Sequence, residues 1–208
     1  MKKTILSAAF TMAFTFAAAQ TAADASTSLE NKYRFYHPFE LSVNIGETVS
    51  PMALPDSHLS AGGKLGWTAG VTAQFNEGHL GTRFGLSYEL NRSHFPDQLN
   101  PFNSTFSFRQ SALNLSVTQL LKSNDKEAFG LYVGAGFNMR YAFNPTLESL
   151  NYKAKNVQWN FDVVLGFRFS HLYIEDDFNA QMNTLFKTDQ GAPKSYLNVS
   201  TLKIGWVF

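Results

Sequence analysis

Hydrophobic and polar residues alternate with period two along most of this chain, the pattern of strands that show one face to an apolar medium and the other to a polar one. Trp67, Ala69, Val71, Ala73 and Phe75 share one face, with Gly66, Thr68, Gly70, Thr72 and Gln74 on the other. The same rule sets Phe84, Leu86, Tyr88 and Leu90 against Arg83, Gly85, Ser87 and Glu89. It sets Leu113, Leu115 and Val117 against Ala112, Asn114, Ser116 and Thr118. Two longer runs follow, from Leu131 to Phe143 and from Trp159 to Phe169, and a final one places Leu202, Ile204, Trp206 and Phe208 on one face. Phe39, Leu41, Val43 and Ile45 open the series as a first strand. Leu172 to Met182 makes a seventh, in which Asp176 falls on the apolar face between Ile174 and Phe178 unless a bulge shifts the register. The pattern predicts eight strands.

The connections alternate in length. Asn76-Glu77-Gly78-His79, residues 122–128 and Ser170-His171 are tight and polar, whereas residues 50–63, 93–106, 144–155 and 183–194 are longer and carry Pro, Asn, Ser and Gly. Such alternation puts all short turns on one rim of an up-and-down antiparallel barrel and all long loops on the other, with both termini on the short-turn rim. The predicted fold is therefore all-β: an eight-stranded antiparallel up-and-down transmembrane β-barrel.

Composition decides which face looks outward. Aromatic residues make up 15% of the chain, including 20 Phe, yet mean hydropathy is slightly negative and no stretch after the N-terminal segment is apolar for long enough to make a membrane helix. An eight-stranded barrel encloses only enough room for its own side chains or one small ligand. The Phe-, Trp- and Leu-rich face does not fit inside, and the Gly-, Ser-, Thr- and Asn-rich face does. A barrel in lipid reconciles these facts, since only alternate residues touch hydrocarbon. Aromatics also gather at both strand ends, with Phe75, Phe129, Phe169, Trp206 and Phe208 toward the short turns and Trp67, Tyr88, Tyr141, Phe143, Trp159 and Tyr196 toward the long loops. Two interfacial girdles require that placement.

Met1-Lys2-Lys3 followed by an Ala- and Thr-rich apolar run reads as a signal peptide over residues 1–25, with cleavage after Ala19 or Ala25. Residues 26–37 form a short polar lead-in on the periplasmic side, and residues 38–208 form the barrel. Cysteine is absent, which removes the small disulfide-scaffold class. A net charge of +1 with 16% charged residues leaves no electrostatic footprint for nucleic acid.

Gly205-Trp206-Val207-Phe208, an alternating strand ending on Phe, resembles the terminal signal read by the outer-membrane insertion machinery of Gram-negative bacteria. With the leader and eight strands, the chain resembles the small barrels related to the OmpA transmembrane domain and the broad "outer membrane protein beta-barrel" family. That resemblance covers nearly the whole mature chain and implies outer-membrane lipids and the insertion machinery as partners, Trp206 and Phe208 as the insertion signal, and an exported outer-membrane location. No cell-wall-binding domain is expected after Phe208.

Inward positions near the short-turn rim carry Glu40, Arg83, Arg168, Glu175, Asp177 and Lys203, three basic and three acidic. On neighbouring strands, Arg168, Glu175 or Asp177, Lys203 and Glu40 are expected to form one continuous ion-pair network, with Glu89 and Arg140 a second pair higher up. Buried charges of this kind must be paired, and the balance suggests a plug. Inward glycines such as Gly85, Gly134, Gly136 and Gly166 offer an alternative, a narrow pore or conduit for small apolar solutes, or else they relieve crowding. A lipid-modifying enzyme would need a Ser, a His and a carboxylate in reach of one another. His58 and Ser60 beside Asp56, and Ser93-His94 beside Asp97, are the loop neighbours of that type. The expectation is that there is no catalytic residue, no cofactor and no metal site, since His37, His58, His79, His94 and His171 lack ligand spacing. The barrel is expected to be monomeric, with a structural or surface-interaction role and a loop ligand that the sequence does not name.

Overall fold

A computed structural model describes residues 37–54, 59–95, 106–123, 129–147, 155–185 and 194–208. The expected signal peptide and all but the last residue of the lead-in lie outside these residues. The elements are β1 (Phe39–Val49), β2 (Met52–Leu54), β3 (Leu59–Glu77), β4 (Leu80–Phe95), β5 (Phe106–Lys122), β6 (Phe129–Leu147), β7 (Val157–Phe169), β8 (Leu172–Gln181), β9 (Tyr196–Leu197) and β10 (Val199–Val207). Every pairing is antiparallel, and β1 pairs with both β10 and β3, which closes the sheet.

Ten segments make eight staves. β1 and β2 are one stave interrupted at Ser50-Pro51, and β9 and β10 are one stave interrupted at Asn198. Val49↔Ser200 and Met52↔Leu197 continue one register across the gap, so Pro51 lies opposite Asn198. Pro51 has no N–H to donate there. Its carbonyl still accepts from the Asn198 N–H at 3.1 Å, so a single ladder bond survives at the break.

Register fixes the shape of the barrel. Stepping from partner to partner around the wall, Glu77 leads to Leu80, Leu121, Val133, Leu165, Asp176, Leu202, Glu47 and finally Trp67, ten residues from the start on the same strand. An offset of ten residues at ~3.3 Å each, against eight strand spacings of ~4.8 Å, tilts the strands by ~40°. Trp67 then stands ~25 Å above Glu77, the height of the apolar band of a membrane barrel.

The outer wall carries the hydrophobic face. Phe137, Leu165, Ile45 and Leu202 are each about 60% exposed, and girdle residues Phe129, Phe169, Trp206, Phe208, Trp67, Tyr141 and Trp159 are exposed at the two ends. Water would not sustain so continuous a greasy wall; hydrocarbon requires it. Among the described residues there is no helix long and apolar enough to cross a membrane, a statement that does not bear on strands.

Three expectations change. The seventh stave has no bulge: Asp176 pairs in unbroken register with Leu202 and Leu165 and faces outward. The expected four-residue turn Asn76–His79 tightens to Gly78-His79, matching the two-residue Ser170-His171 turn that stands as expected, and each has its first residue at positive φ (55° and 54°). The strands also run past the predicted loop starts, to Phe95 in β4 and Leu147 in β6, while β3 begins already at Leu59. Pro145 read as a loop signal, but β6 tolerates it. The β5 ladder steps register between Arg109 and Ser111, so the proline sits beside a bulge.

Candidate functional site

The candidate site is the lumen, which inward residues fill in tiers. At the short-turn end the Arg168 guanidinium from β7 donates from Nη1 to both carboxylate oxygens of Glu40 on β1 at 2.8 Å, and its Nε donates to the Ser170 carbonyl at 2.8 Å. Asn76 and the His37 N–H complete the Glu40 carboxylate at 3.1 and 3.0 Å. Lys122 donates to Asn76 Oδ1 at 3.0 Å, and Asn76 in turn donates to the His37 carbonyl at 2.7 Å.

The second tier crosses the barrel. Arg83 on β4 pairs with Glu175 on β8, four staves away in either direction and hence diametrically opposite. Its guanidinium lies 5.2 Å from the ring centre of Tyr132 and 5.8 Å from that of Tyr173, within cation–π range of both. Nε donates to Gln74 at 3.0 Å, and the Tyr132 hydroxyl donates to Glu175 at 2.9 Å. Lys203 on β10 pairs with Asp177 and lies 3.9 Å from Glu175. A planar, five-donor guanidinium held between two rings and two acceptors has little freedom left.

The third tier is amide-rich. Asn160 donates to Asn138, which donates to Asn179, linking three adjacent staves. Above it Arg140 Nε donates to Glu89 Oε2 at 3.1 Å, with Arg140 fully buried, and Asn114 and Asn91 donate to the same carboxylate at 2.9 and 3.3 Å. Gln110 and Gln158 fill the lumen near the long-loop end and are also fully buried.

The charged residues expected inside are thus all inside, but not as one continuous ion-pair network. Register pairs Arg168 with Tyr173, while Glu175 faces Gly166. The Tyr173 ring lies between the Arg168–Glu40 pair and the Arg83–Glu175–Lys203–Asp177 group, and the two ion-pair groups are joined through amides: Arg83 donates to Gln74, Gln74 to Asn76 at 2.7 Å, and Asn76 to Glu40 at 3.1 Å.

The inner face is also bulkier than alternation implied. Leu120, Tyr132 and Val164 form a buried apolar cluster, and Tyr173 is buried beside them. Their sockets are glycines directly across the ladder: Gly166 opposite Tyr132, Gly205 opposite Tyr173 and Gly134 opposite Leu120. A β-carbon at these glycines would lie 2.1, 2.2 and 2.4 Å from the facing side chain. The glycines are filled by their neighbours, the arrangement known as aromatic rescue where the neighbour is a ring. Two lumenal cavities, one among Glu40, Arg83 and Tyr173 and one among Asn44, Asp162 and Lys203, measure about 20 Å³ each. That holds about one water. Among the site residues that sequence reading left out are Asp162, which accepts from Thr118 at 3.2 Å, Tyr132, Tyr173 and the buried Lys122, which it had placed in a turn. The first three stood on the inward face of the alternation, and Tyr-opposite-Gly becomes visible only once register is known.

The other sequence candidates take structural places. Ser93 is buried and its hydroxyl donates to the Ser50 carbonyl. The side chains of Asp56, His58, Ser60, His94 and Asp97 lie outside the described residues. His79 and His171 close the two tight turns alike, each ring Nδ1 bonding the carbonyl of the neighbouring strand's end, Lys122 at 3.1 Å and Val207 at 2.9 Å. His171 also stacks on Trp206 at 5.4 Å, and the Phe208 N–H donates to the Leu41 carbonyl at 2.9 Å. Among the described residues no group of three potential ligands is placed to hold a metal.

No protein-family model matches the sequence, and no curated protein matches it. Solved structures do. The outer membrane protein OprG of Pseudomonas aeruginosa is similar at 14% identity and a TM-score of 0.50, covering 81% of this chain and 95% of that one. The chain has the fold of the small outer-membrane barrels. Neisserial surface protein A (10% identity, TM-score 0.46) covers 80% of this chain and 96% of its own. The Yersinia pestis attachment invasion locus protein Ail (14%, 0.46) covers 83% and 100%.

Proposed function

We propose that this chain is an exported integral outer-membrane barrel with a structural or surface-interaction role, whose lumen is closed by its own ion pairs. The observation that carries the reading is the Arg83–Glu175 pair, which spans the full width of the lumen with Tyr132 and Tyr173 packed against it. Opening a path past it means separating two buried charges, which costs several kcal/mol per ion in the absence of new partners. Two of the glycines that would have left a passage, Gly134 and Gly166, are covered by Leu120 and Tyr132, which counts against a conduit for small solutes along the axis at this level. Specific contacts then fall to the outward loops, where a rigid barrel presents variable segments.

Planar-bilayer recording tests this reading. Protein whose folded state is confirmed by a heat-dependent shift on a denaturing gel is expected to give negligible steady current. The double variant Arg83→Ser/Glu175→Ser, with its shorter uncharged side chains, is expected to give measurable conductance. Steady large currents from the unaltered chain reject the plug.

A further inference from the structure

Lys64 on β3, Arg92 on β4 and Arg109 on β5 are direct register partners, Lys64↔Arg92↔Arg109, so three cations stand side by side on consecutive staves. All three are exposed, and none has an ion pair or hydrogen bond with a described residue. Like charges directly opposite across a ladder repel. A neutral wall gains nothing from such a row, whereas a polyanion placed on it would.

Height says where the anion would be. Arg92 lies four residues above Tyr88 on its strand, ~10 Å at the tilt derived above, with Lys64 ~3 Å lower and Arg109 ~3 Å higher, beyond Trp67 and Leu113. Aromatic girdles mark the edge of the hydrocarbon, so the row sits in the headgroup layer on the long-loop side. The wall below it is apolar, with Leu65, Trp67, Tyr88 and Leu115 exposed. The opposite side of the barrel differs: at comparable height the outward positions are Val157 on β7 and Met182 just past β8, both uncharged, and Lys155 above Val157 is half-buried and donates to Thr184 Oγ1 at 2.8 Å.

We infer that Lys64, Arg92 and Arg109 form a binding face for the phosphate groups of an outer-leaflet lipid, whose acyl chains lie on the apolar wall beneath. This rests on the membrane orientation proposed above. Two guanidiniums suit phosphate oxygens in paired hydrogen bonds, and the lysine adds a point charge. The one-sided placement predicts a lipid held on the β3–β5 face rather than a uniform annulus.

The test uses full-length protein in phosphatidylcholine vesicles doped with diphosphoryl lipid A or with its dephosphorylated form. A heat-dependent gel shift is scored first, and its absence counts against the membrane barrel itself. In folded protein, the diphosphoryl lipid is expected to bind tighter than the dephosphorylated one and to weaken with salt. Each basic residue near a charged surface is worth about a five-fold change in affinity, so K64Q/R92Q/R109Q is expected to lose on the order of a hundred-fold while retaining the gel shift. Equal binding of the two lipids, or an unchanged triple variant, overturns the assignment. Inorganic phosphate binding as tightly as the lipid would assign the row to a soluble anion and overturn the lipid reading as well.

Discussion

Gly166 stands directly across the ladder from Tyr132, and a β-carbon there would lie 2.1 Å from the phenol ring. The ring occupies the space over Gly166 and directs its hydroxyl to Glu175 at 2.9 Å, one of the bonds that hold Arg83–Glu175 across the lumen. Gly166→Ala forces the ring away. Overpacking of this kind costs about 1–3 kcal/mol, and the bond to Glu175 is lost with it. Unfolding in urea with the protein in vesicles should show that loss. Gly166→Ala/Tyr132→Ala should recover part of the cost relative to the sum of the single variants, since the clash is then gone. Strict additivity would argue against the socket.

Sequence alone carried the outward face well, because period-two alternation is a local property and lipid selects bulky apolar side chains at every second position. Trp67 to Phe75 and Trp159 to Phe169 could be assigned to a face residue by residue. The inward charges were legible for the same reason. Their partners were not, because a partner across the lumen depends on register. That Arg83 meets Glu175, and that Arg168 meets Glu40 without joining Lys203, follows from an offset of ten residues around the wall. The offset is set by where the hairpins turn, at Gly78-His79 and Ser170-His171, and a one-residue error there would exchange every pairing. The strand extensions to Phe95 and Leu147 were hidden because they leave the region where lipid enforces alternation.

Glu89 and Arg140 pair with both side chains almost wholly buried. Removing one partner leaves an uncompensated charge, which costs about 3–5 kcal/mol, whereas replacing both with apolar residues of similar size is often close to neutral. Arg140→Met should therefore destabilise the barrel strongly, and Glu89→Leu/Arg140→Met should be more stable than either single variant. Asn91 and Asn114, which donate to Glu89, temper the rescue without reversing it. A double variant less stable than both singles would contradict this account.

Ser170 holds φ at 54° in a two-residue turn whose counterpart, Gly78, has φ at 55° without penalty. A non-glycine residue in the left-handed region costs about 1–2 kcal/mol, partly offset by the extra freedom glycine has in the unfolded chain. Ser170→Gly should raise stability by roughly 0.5–1 kcal/mol, read as a shift in urea midpoint at constant slope. Gly78→Ser should do the reverse. Arg168 bonds the Ser170 carbonyl, not its side chain, so the serine hydroxyl makes no difference to that contact.

Asp176 sits outward between Ile174 and Phe178, five of the eight partner steps from Glu77 toward Trp67, which places it ~16 Å up a ~25 Å apolar band. There its Oδ1 accepts from the Ser200 hydroxyl on β10 at 3.2 Å. A carboxyl group facing acyl chains is disfavoured, less severely than Lys or Arg at the same depth, and one neutral hydrogen bond of about 1 kcal/mol softens the cost without cancelling it. Asp176→Leu should accordingly stabilise the barrel in vesicles by about 1–2 kcal/mol. Ser200→Ala should lower stability by about 1 kcal/mol in the native background and have no effect beside Asp176→Leu, since its partner is then gone. If Asp176→Leu instead lowered stability, or changed the mass of the detergent-solubilised particle, the residue would be meeting a second polypeptide and the monomeric wall would have to be given up.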